Sequence, residues 1–256
     1  MKEVSFDQII DCLYQLEIQE GDGLLIHSAI QFFGQPVGGI EMYLEALQSV
    51  VGEKGTIAVP TFNFAFAKGE RFDPQSTPSQ KMGAFSEYIR QQPESMRTRH
   101  PMQSLAVIGY HAKDLASIDT PSAFDPGSAF DRMYQLGFKL LLLGADERAI
   151  SMFHYCEQRA EAPYRYWKEF SGQIRTPSGW EKHTYRMYVR DLKLNPQLTL
   201  KPVVELMKKR NQWRSILLNY GEISTCRLVD FVEAADQILA HDPWTLVLNK
   251  PEAESL

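Results

Sequence analysis

The sequence lacks the features that mark membrane, secreted and metal-stapled proteins. It has no apolar run near the roughly twenty residues that a helix needs to cross a bilayer. Its N-terminus shows no apolar segment of the kind found in signal peptides. The three cysteines lie far apart and form no C-x-x-C pair, which argues against a disulfide framework or a structural zinc. We therefore predict a cytoplasmic protein without membrane association, bound metal or disulfides.

Common catalytic motifs are missing as well. The chain contains no G-x-x-x-x-G-K-[ST], no G-x-S-x-G, no H-E-x-x-H and no G-x-G-x-x-G. These absences disfavour P-loop ATPases, α/β-hydrolases, zincin proteases and ordinary dinucleotide-binding folds.

Charge is distributed unevenly along the 256 residues. The whole chain carries a net charge of −5, but residues 157–214 hold 13 basic and 6 acidic side chains, a net of +7, which leaves −12 for the rest. A basic segment in an acidic protein predicts a small anionic ligand there and no nucleic-acid partner. A solvated, salt-bridged surface is the alternative interpretation.

Hydrophobic periodicity predicts alternating strands and helices. Ser5 and Gln8 form an S-x-x-Q capping box at the start of the first helix. Unbroken apolar runs are typical of strands buried on both faces, and amphipathic segments separate them. The predicted strands are 24–26, 55–60, 104–108 and 138–143, and the later helices are 40–51, 82–92, 128–136, 150–162 and 224–239. This order indicates a layered α/β/α domain with a mostly parallel or mixed sheet.

The pattern changes after residue 162. Alternating side chains at His183, Tyr185, Met187 and Val189 predict an antiparallel hairpin. We therefore predict an α/β domain over 1–162 and 222–256, and a smaller antiparallel β insert over 163–221 that is basic and rich in aromatics.

Four polar points adjoin the predicted strands and helices. They are His27-Ser28-Ala29 after a strand, His100 and Ser104 before one, Gly127-Ser128 at a helix start, and His154 with Glu157 on one helix face. Strand ends and helix starts are where α/β folds bind ligands, and the start at Ser128 predicts an anion site.

These segments together resemble the aminoglycoside 3-N-acetyltransferase family, also called the antibiotic N-acetyltransferases. The motifs that carry the resemblance are Arg97-Thr98-x-His100-Pro101-x-x-Ser104, Pro126-Gly127-Ser128, Leu141-Leu142-Leu143-Gly144-Ala145 and His154-Tyr155-x-Glu157. The resemblance covers roughly residues 5–162 and 222–240. Ala29 departs from it, because the family tends to carry a second hydroxyl there, and 163–221 matches poorly.

The resemblance implies an acyl-CoA-dependent N-acyltransferase with direct transfer and a histidine general base. Under it His154 is the base, Glu157 orients its tautomer or contacts the acceptor amine, and His100 and Ser104 form or position an oxyanion hole. The coenzyme A phosphates are then expected at His27, Ser28, Ala29, Gly34, Gly127 and Ser128. Cys156 is interpreted as a packing residue.

The acceptor is predicted from charge. Aminoglycosides are polycations, whereas the divergent segment is basic and aromatic, which favours a nucleotide-linked (dTDP-type) amino-deoxy sugar of surface-polysaccharide synthesis. The domain over 1–162 and 222–256 is then expected to bind acyl-CoA and hold the catalytic residues, and the insert over 163–221 to help form the site of the acceptor, the amine that receives the acyl group. The predicted acceptor contacts are Asn63, Tyr164, Arg165 and Trp167. The alternative is an aminoglycoside 3-N-acetyltransferase that confers antibiotic resistance. A non-catalytic or hydrolytic binder of CoA esters and a homodimeric assembly also stay open.

Overall fold

A seven-stranded mixed sheet forms the centre of the protein. The structure, a computed structural model, describes residues 2–250. The strands of the described chain, seven of which make up this sheet, are β1 (Glu3–Val4), β2 (Gly23–Ser28), β3 (Gln35–Pro36), β4 (Thr56–Pro60), β5 (Met96–Arg97), β6 (Leu105–Gly109), β7 (Lys139–Leu143), β8 (Arg165–Thr176), β9 (Gly179–Arg190), β10 (Arg214–Leu218) and β11 (Gly221–Arg227). The central order is β10-β11-β7-β2-β4-β6-β5, in which β2 runs parallel to β4 and β7 and the other pairs are antiparallel.

Helices cover both faces of this sheet. They are α1 (Phe6–Gln15), α2 (Glu41–Val51), α3 (Ala84–Arg90), α4 (Ala112–Ser117), α5 (Ala129–Gln135), α6 (Phe153–Arg159), α7 (Lys201–Lys209) and α8 (Leu228–His241). Leu24 and Ile26 point to a core shared with α1, α2 and α3, whereas Leu25 points to a second core shared with α4 to α8. Because the side chains of each central strand pack alternately into the two cores, its run of apolar residues is unbroken. The predicted α/β/α class with a mixed sheet is confirmed.

Two predicted helices have different bounds in the structure. The helix expected over 150–162 is α6, which spans only Phe153–Arg159. The helix expected from residue 224 begins at Leu228, because Ser224 lies in β11 opposite Leu142 of β7. Short strands that pair with distant partners carry little local signal. For the same reason β10 was not predicted. The helix α7 was not predicted either.

The strands β8 and β9 form a separate hairpin. Their pairing runs without a break from Arg165↔Arg190 to Thr176↔Gly179 and confirms the predicted alternation. Ile174 and Tyr185 fix the hairpin to the body through a small apolar cluster with Phe66 and Phe72. β10 joins the central sheet and α7 packs on α8, so within 163–221 it is the hairpin that lies apart from the sheet.

Membrane-crossing geometry is absent from the described chain. Within residues 2–250, no helix combines the length and apolarity that a bilayer span requires.

Candidate active site

A histidine and a glutamate form a close pair on α6. His154 Nδ1 lies 2.7 Å from Glu157 Oε2, as expected for positions i and i+3 on one helix face. The Glu157 side chain is fully buried, whereas 33% of the His154 side chain is exposed. Within residues 2–250 no hydrogen bond reaches His154 Nε2. The ring therefore has one nitrogen fixed by the protein and one available to a substrate.

Glu157 is ionised despite its burial. Burial alone raises the pKa of this carboxyl group, but the hydrogen bond to His154 and the charge of Arg165 outweigh it, so the pKa lies below its ordinary value. Arg165 Nε lies 2.8 Å from Glu157 Oε1. An ionised Glu157 holds the His154 proton on Nδ1 and leaves the Nε2 lone pair free.

Arg165 is a partner of this pair and not an acceptor contact. Its Nη1 donates to the Tyr188 carbonyl at 3.0 Å, its Nη2 lies 3.2 Å from His154 Nδ1, and only 8% of its side chain is exposed. A diphosphate cannot reach a guanidinium enclosed in this way. Arg165 as an acceptor contact stays a prediction, which this enclosed position does not favour.

The other predicted acceptor contacts divide into buried and exposed residues. Tyr164 is fully buried beside Trp244, with ring centroids 5.7 Å apart. Asn63 is buried and shapes a turn, since its Nδ2 donates to the Pro78 carbonyl at 2.8 Å and its Oδ1 accepts from the Ala65 amide. Both acceptor contacts stay predictions, and the enclosure of these side chains by protein does not favour them. Trp167 is 42% exposed and stays available to a ligand.

Ser104 belongs to a buried network around Arg97. The Ser104 hydroxyl donates to the Thr61 carbonyl at 2.8 Å and accepts from Arg97 Nε at 3.0 Å. Arg97 also donates to Thr61 Oγ1 at 3.1 Å and to the carbonyls of Thr61 and Thr77, and its guanidinium lies over the Phe72 ring. Ser104 is fully buried and its hydroxyl is occupied, so the structure does not favour it as an oxyanion donor, and its expected role stays a prediction.

His100 is buried against the hairpin. Its ring packs edge-on to Tyr185 with centroids 4.8 Å apart, and its Nε2 lies 3.4 Å from the Arg186 carbonyl. Burial lowers the pKa of His100 to about 4, so the ring is neutral at pH 7. Its Nδ1 is buried without a hydrogen-bond partner in the described chain. The oxyanion role expected for His100 stays a prediction.

His27 connects the end of β2 to the start of α6. Its Nε2 accepts from the Ser151 amide at 2.9 Å and lies 2.9 Å from the Ser151 hydroxyl. Burial, together with the charge of His154, lowers the pKa of His27 to about 3. A neutral ring that accepts at Nε2 carries its proton on Nδ1. His27 therefore anchors the α6 start instead of presenting a charge to a phosphate.

A cavity of about 260 Å³ opens beside Ser28, which is half-buried. Its lining is Ser28, Ile30, Gln31, Gly34, Pro36, Gly83 and Ala84. Gly34 has φ +88° and a Cβ there would lie 2.1 Å from the Lys2 carbonyl oxygen, so the turn requires glycine. Ala29 donates its amide to the Leu143 carbonyl at 2.9 Å. The loop after β2 is thus held in one shape along the wall of the cavity.

The N-terminus of α5 is hydrogen-bonded to the carboxylate of Asp131, a residue of the same helix. Ser128 is the N-cap, and its hydroxyl accepts from the Asp131 amide at 3.2 Å. Asp131 Oδ2 accepts from the Gly127 amide at 2.7 Å, which is where an anion would bind. Ser128 is fully buried and the Gly127 amide is occupied, so the phosphate site at Gly127 and Ser128 stays a prediction that this geometry does not favour. Among the described residues no cluster of histidine, cysteine or acidic side chains is arranged to hold a metal.

Comparison with known proteins identifies the family. The sequence model of the aminoglycoside 3-N-acetyltransferase family matches residues 25–240. The chain belongs to this family. The resemblance carried by the motifs around His100, Ser128 and His154 is therefore confirmed.

Individual relatives agree with this assignment. The chain is 30% identical over 177 residues to aminoglycoside N(3)-acetyltransferase III from a Salmonella species, covering 62% of each protein. It is 30% identical over 182 residues to aminoglycoside N(3)-acetyltransferase VII from Streptomyces paromomycinus, covering 63% of each. The match thus spans less than two thirds of the length of these relatives. The fold is also that of AAC-IIIb, solved as a binary complex with CoASH, with a TM-score of 0.84 at 19% identity over 98% of this chain and 100% of that one.

A second polar cluster adjoins the His154–Glu157 pair. The sequence did not predict this cluster. Asp125 accepts from Gln158 Nε2 at 3.0 Å, and Arg186 Nη2 lies 3.1 Å from the same carboxylate. The Arg186 guanidinium also lies over Trp167, 4.4 Å from the ring centroid. Gln158 follows His154 by one helical turn, and Phe124, next to Asp125, packs against the His154 ring. The only sequence signal for this cluster was the spacing of His154 and Gln158.

Proposed function

We propose that the protein is an acetyl-CoA-dependent N-acetyltransferase that acetylates an amino group of an aminoglycoside. The observation that carries this proposal is the His154–Glu157 pair, fixed at Nδ1 and open at Nε2, in a chain of the aminoglycoside 3-N-acetyltransferase family. An acyl-CoA reaction also fits the cytoplasmic location predicted from the sequence.

The chemistry follows from what each ring nitrogen can do. A substrate ammonium has no lone pair, so it first loses one proton to solvent. His154 Nε2 then accepts a second proton as the neutral amine attacks the thioester carbon. The C–S bond then breaks, and the imidazolium returns a proton to the leaving thiolate. Glu157 stabilises the charged ring from the Nδ1 side throughout. No covalent enzyme intermediate is needed, and Cys156 is buried with its thiol pKa raised well above the ordinary value.

Acetyl-CoA is assigned to the side of the site next to β2. Ser28 presents a hydroxyl to the 260 Å³ cavity, and Gly83 opposite it has no side chain to fill the space. A Cβ at Gly83 would lie 3.4 Å from the Ser28 carbonyl oxygen and 3.8 Å from its hydroxyl. Hydroxyl and backbone donors are suited to a diphosphate. We assign Ser28 and the loop that ends at Gly34 to the CoA phosphates.

Replacing Ser28 with alanine should raise the KM for acetyl-CoA about tenfold and leave the KM for the amine within about twofold. A hydrogen bond to a charged group contributes roughly 1.5–3 kcal/mol, which corresponds to at least tenfold in affinity. Steady-state kinetics with each substrate varied in turn measure both constants. Ser117→Ala, on exposed helix surface, is the control. If only the amine KM changes, the two sides of the site are reversed.

The acceptor assignment differs from the one that charge predicted. The basic residues of 157–214 near the pair are neutralised by acids: Arg165 faces Glu157, Arg186 faces Asp125, and Arg159 lies 3.2 Å from Asp236. The net charge of +7 is therefore not concentrated where a diphosphate would bind. The curated relatives carry aminoglycoside names, which supports the alternative over a nucleotide-linked sugar.

A panel of acceptors tests this assignment. We expect kcat/KM for kanamycin- or gentamicin-type amines to exceed that for a dTDP-amino-deoxy sugar by about 100-fold or more, with thiol release from acetyl-CoA as the readout. A polycation that binds an acidic protein should also lose affinity as salt rises. The opposite order would restore the nucleotide-sugar assignment. Thiol release that is independent of any amine would indicate a hydrolase.

A further inference from the structure

We infer that Arg165 is a positioning residue whose charge opposes the protonation of the His154 ring that Glu157 favours. This inference rests on the proposed function only for its consequence on turnover. The observation behind the inference is that the Glu157 carboxylate and the Arg165 guanidinium both lie next to the same nitrogen of the His154 ring. Arg165 was expected to bind the acceptor, and neither the family comparison nor the motif analysis gives it this role.

The geometry makes the two charges act in opposite directions. His154 Nδ1 lies 2.7 Å from Glu157 Oε2 and 3.2 Å from Arg165 Nη2. One nitrogen cannot donate to the carboxylate and accept from the guanidinium at once. The shorter contact fixes the proton on Nδ1, directed at Glu157. The guanidinium is then a positive charge beside a ring that becomes positive when it accepts a proton.

Arg165 is held in this position from two directions. Its Nη1 donates to the Tyr188 carbonyl on the facing strand of the hairpin, and its Nε lies 2.8 Å from Glu157 Oε1. Since 92% of its side chain is enclosed, water screens its charge only weakly. Glu157 stabilises the imidazolium, and Arg165 opposes it directly and also by partly neutralising Glu157.

Few other titratable groups face the ring. His27 from β2 is neutral, since its pKa is lowered to about 3. Tyr164, beside Glu157, is also neutral, because burial raises the pKa of its hydroxyl. Phe124 covers one side of the ring without a charge. Asp125 and Arg186, which adjoin the pair, carry opposite charges and face each other at 3.1 Å. The balance at His154 therefore depends mainly on Glu157 and Arg165.

The direct experiment is a titration of His154 in Arg165→Gln. Removing the guanidinium removes the opposing charge and leaves Glu157 fully available to the imidazolium, so the pKa of His154 should rise by about one unit or more. The histidine ring signals are followed by NMR from pH 5 to 10. The His154 signal, one of six, is the one absent from the spectrum of His154→Asn.

Three further variants make the sign of the effect testable. Arg165→Lys keeps the charge and should hold the pKa of His154 within about 0.5 unit of the wild-type value. Glu157→Gln removes the stabilising charge and should lower it. Arg159→Gln, which removes an exposed arginine from the same helix, is the matched control and should not change it.

Turnover gives the second readout. In Arg165→Gln the acid limb of the kcat/KM profile should move up with the His154 titration, so that the loss of activity is larger near pH 7 than near pH 9, where activity recovers to within a few-fold of wild type. A purely structural role would lower activity at every pH. An unchanged or lowered His154 pKa in Arg165→Gln overturns the inference. If that variant does not fold, a Glu157→Gln protein whose His154 pKa fails to fall does the same. The NMR result stands even if no amine is acetylated, so failure of the proposed function is separately visible.

Discussion

Replacing His154 with asparagine should lower kcat about 100-fold or more while the affinity for acetyl-CoA stays within about twofold. Asparagine retains a polar group on the Glu157 side but supplies no base at the position of Nε2, and general-base catalysis typically contributes 10²- to 10⁴-fold. Steady-state kinetics at saturating acetyl-CoA give kcat, and titration calorimetry gives the affinity. The exposed part of the ring touches solvent, so the fold should tolerate the change.

The control for this variant is His183→Asn on the hairpin, 28% exposed and next to Glu181. It removes an imidazole of similar exposure and should leave kcat within about threefold. Near-normal turnover in folded His154→Asn would remove His154 as the base. A parallel loss of acetyl-CoA affinity would instead indicate that the ring holds the thioester.

Replacing Arg97 with methionine should destabilise the protein by about 3 kcal/mol and lower its Tm by roughly 6–12 °C. The guanidinium donates to Thr61, Thr77 and Ser104, and its loss leaves several buried oxygens without a donor. Burial lowers the pKa of Arg97 but leaves the group charged at neutral pH, and no carboxylate lies within ion-pair distance among residues 2–250. The network is therefore held by neutral oxygens alone.

Thermal and urea unfolding followed by circular dichroism measure this loss. Arg175→Met is the control, because Arg175 is exposed at the hairpin and should change stability by no more than about 0.5 kcal/mol. Equal melting of both variants with the wild type would show that the network contributes nothing. At a temperature where Arg97→Met stays folded, kcat should be unchanged if Ser104 serves only the fold, and it should fall if Ser104 contacts the acyl oxygen.

Local patterns predicted the features that depend on neighbouring residues. The capping box of Ser5 and Gln8 forms both of its hydrogen bonds. The unbroken apolar runs became strands buried on two faces, and the alternation after His183 became β9. His154 and Glu157 meet because their spacing needs only one helical turn. In each case the partner lies within a few residues or within one repeating pattern.

The site predictions that the structure does not favour depend on distant partners. Tyr164 was expected in the site because it begins an aromatic run, but Trp244, eighty residues later, packs against it. Ser104 was taken for a catalytic donor, although Thr61 and Arg97 occupy its hydroxyl. His27 was expected to contact phosphate, but its Nε2 is hydrogen-bonded to Ser151, which lies 124 residues later in the chain. Composition identifies a polar or aromatic side chain but not which segment will enclose it.

The unbroken register of the β8–β9 hairpin bears on how such a protein can vary by insertion and deletion. Pro177 and Ser178 form its turn, and every pair from Arg165↔Arg190 onward is matched. One residue added to each arm beside the turn extends the tip by about 3.4 Å and leaves the lower pairs unchanged. One residue added to a single arm reverses the faces beyond it. Balanced length changes can therefore remodel the outer end of the hairpin while Arg165, at its base, stays beside the His154–Glu157 pair.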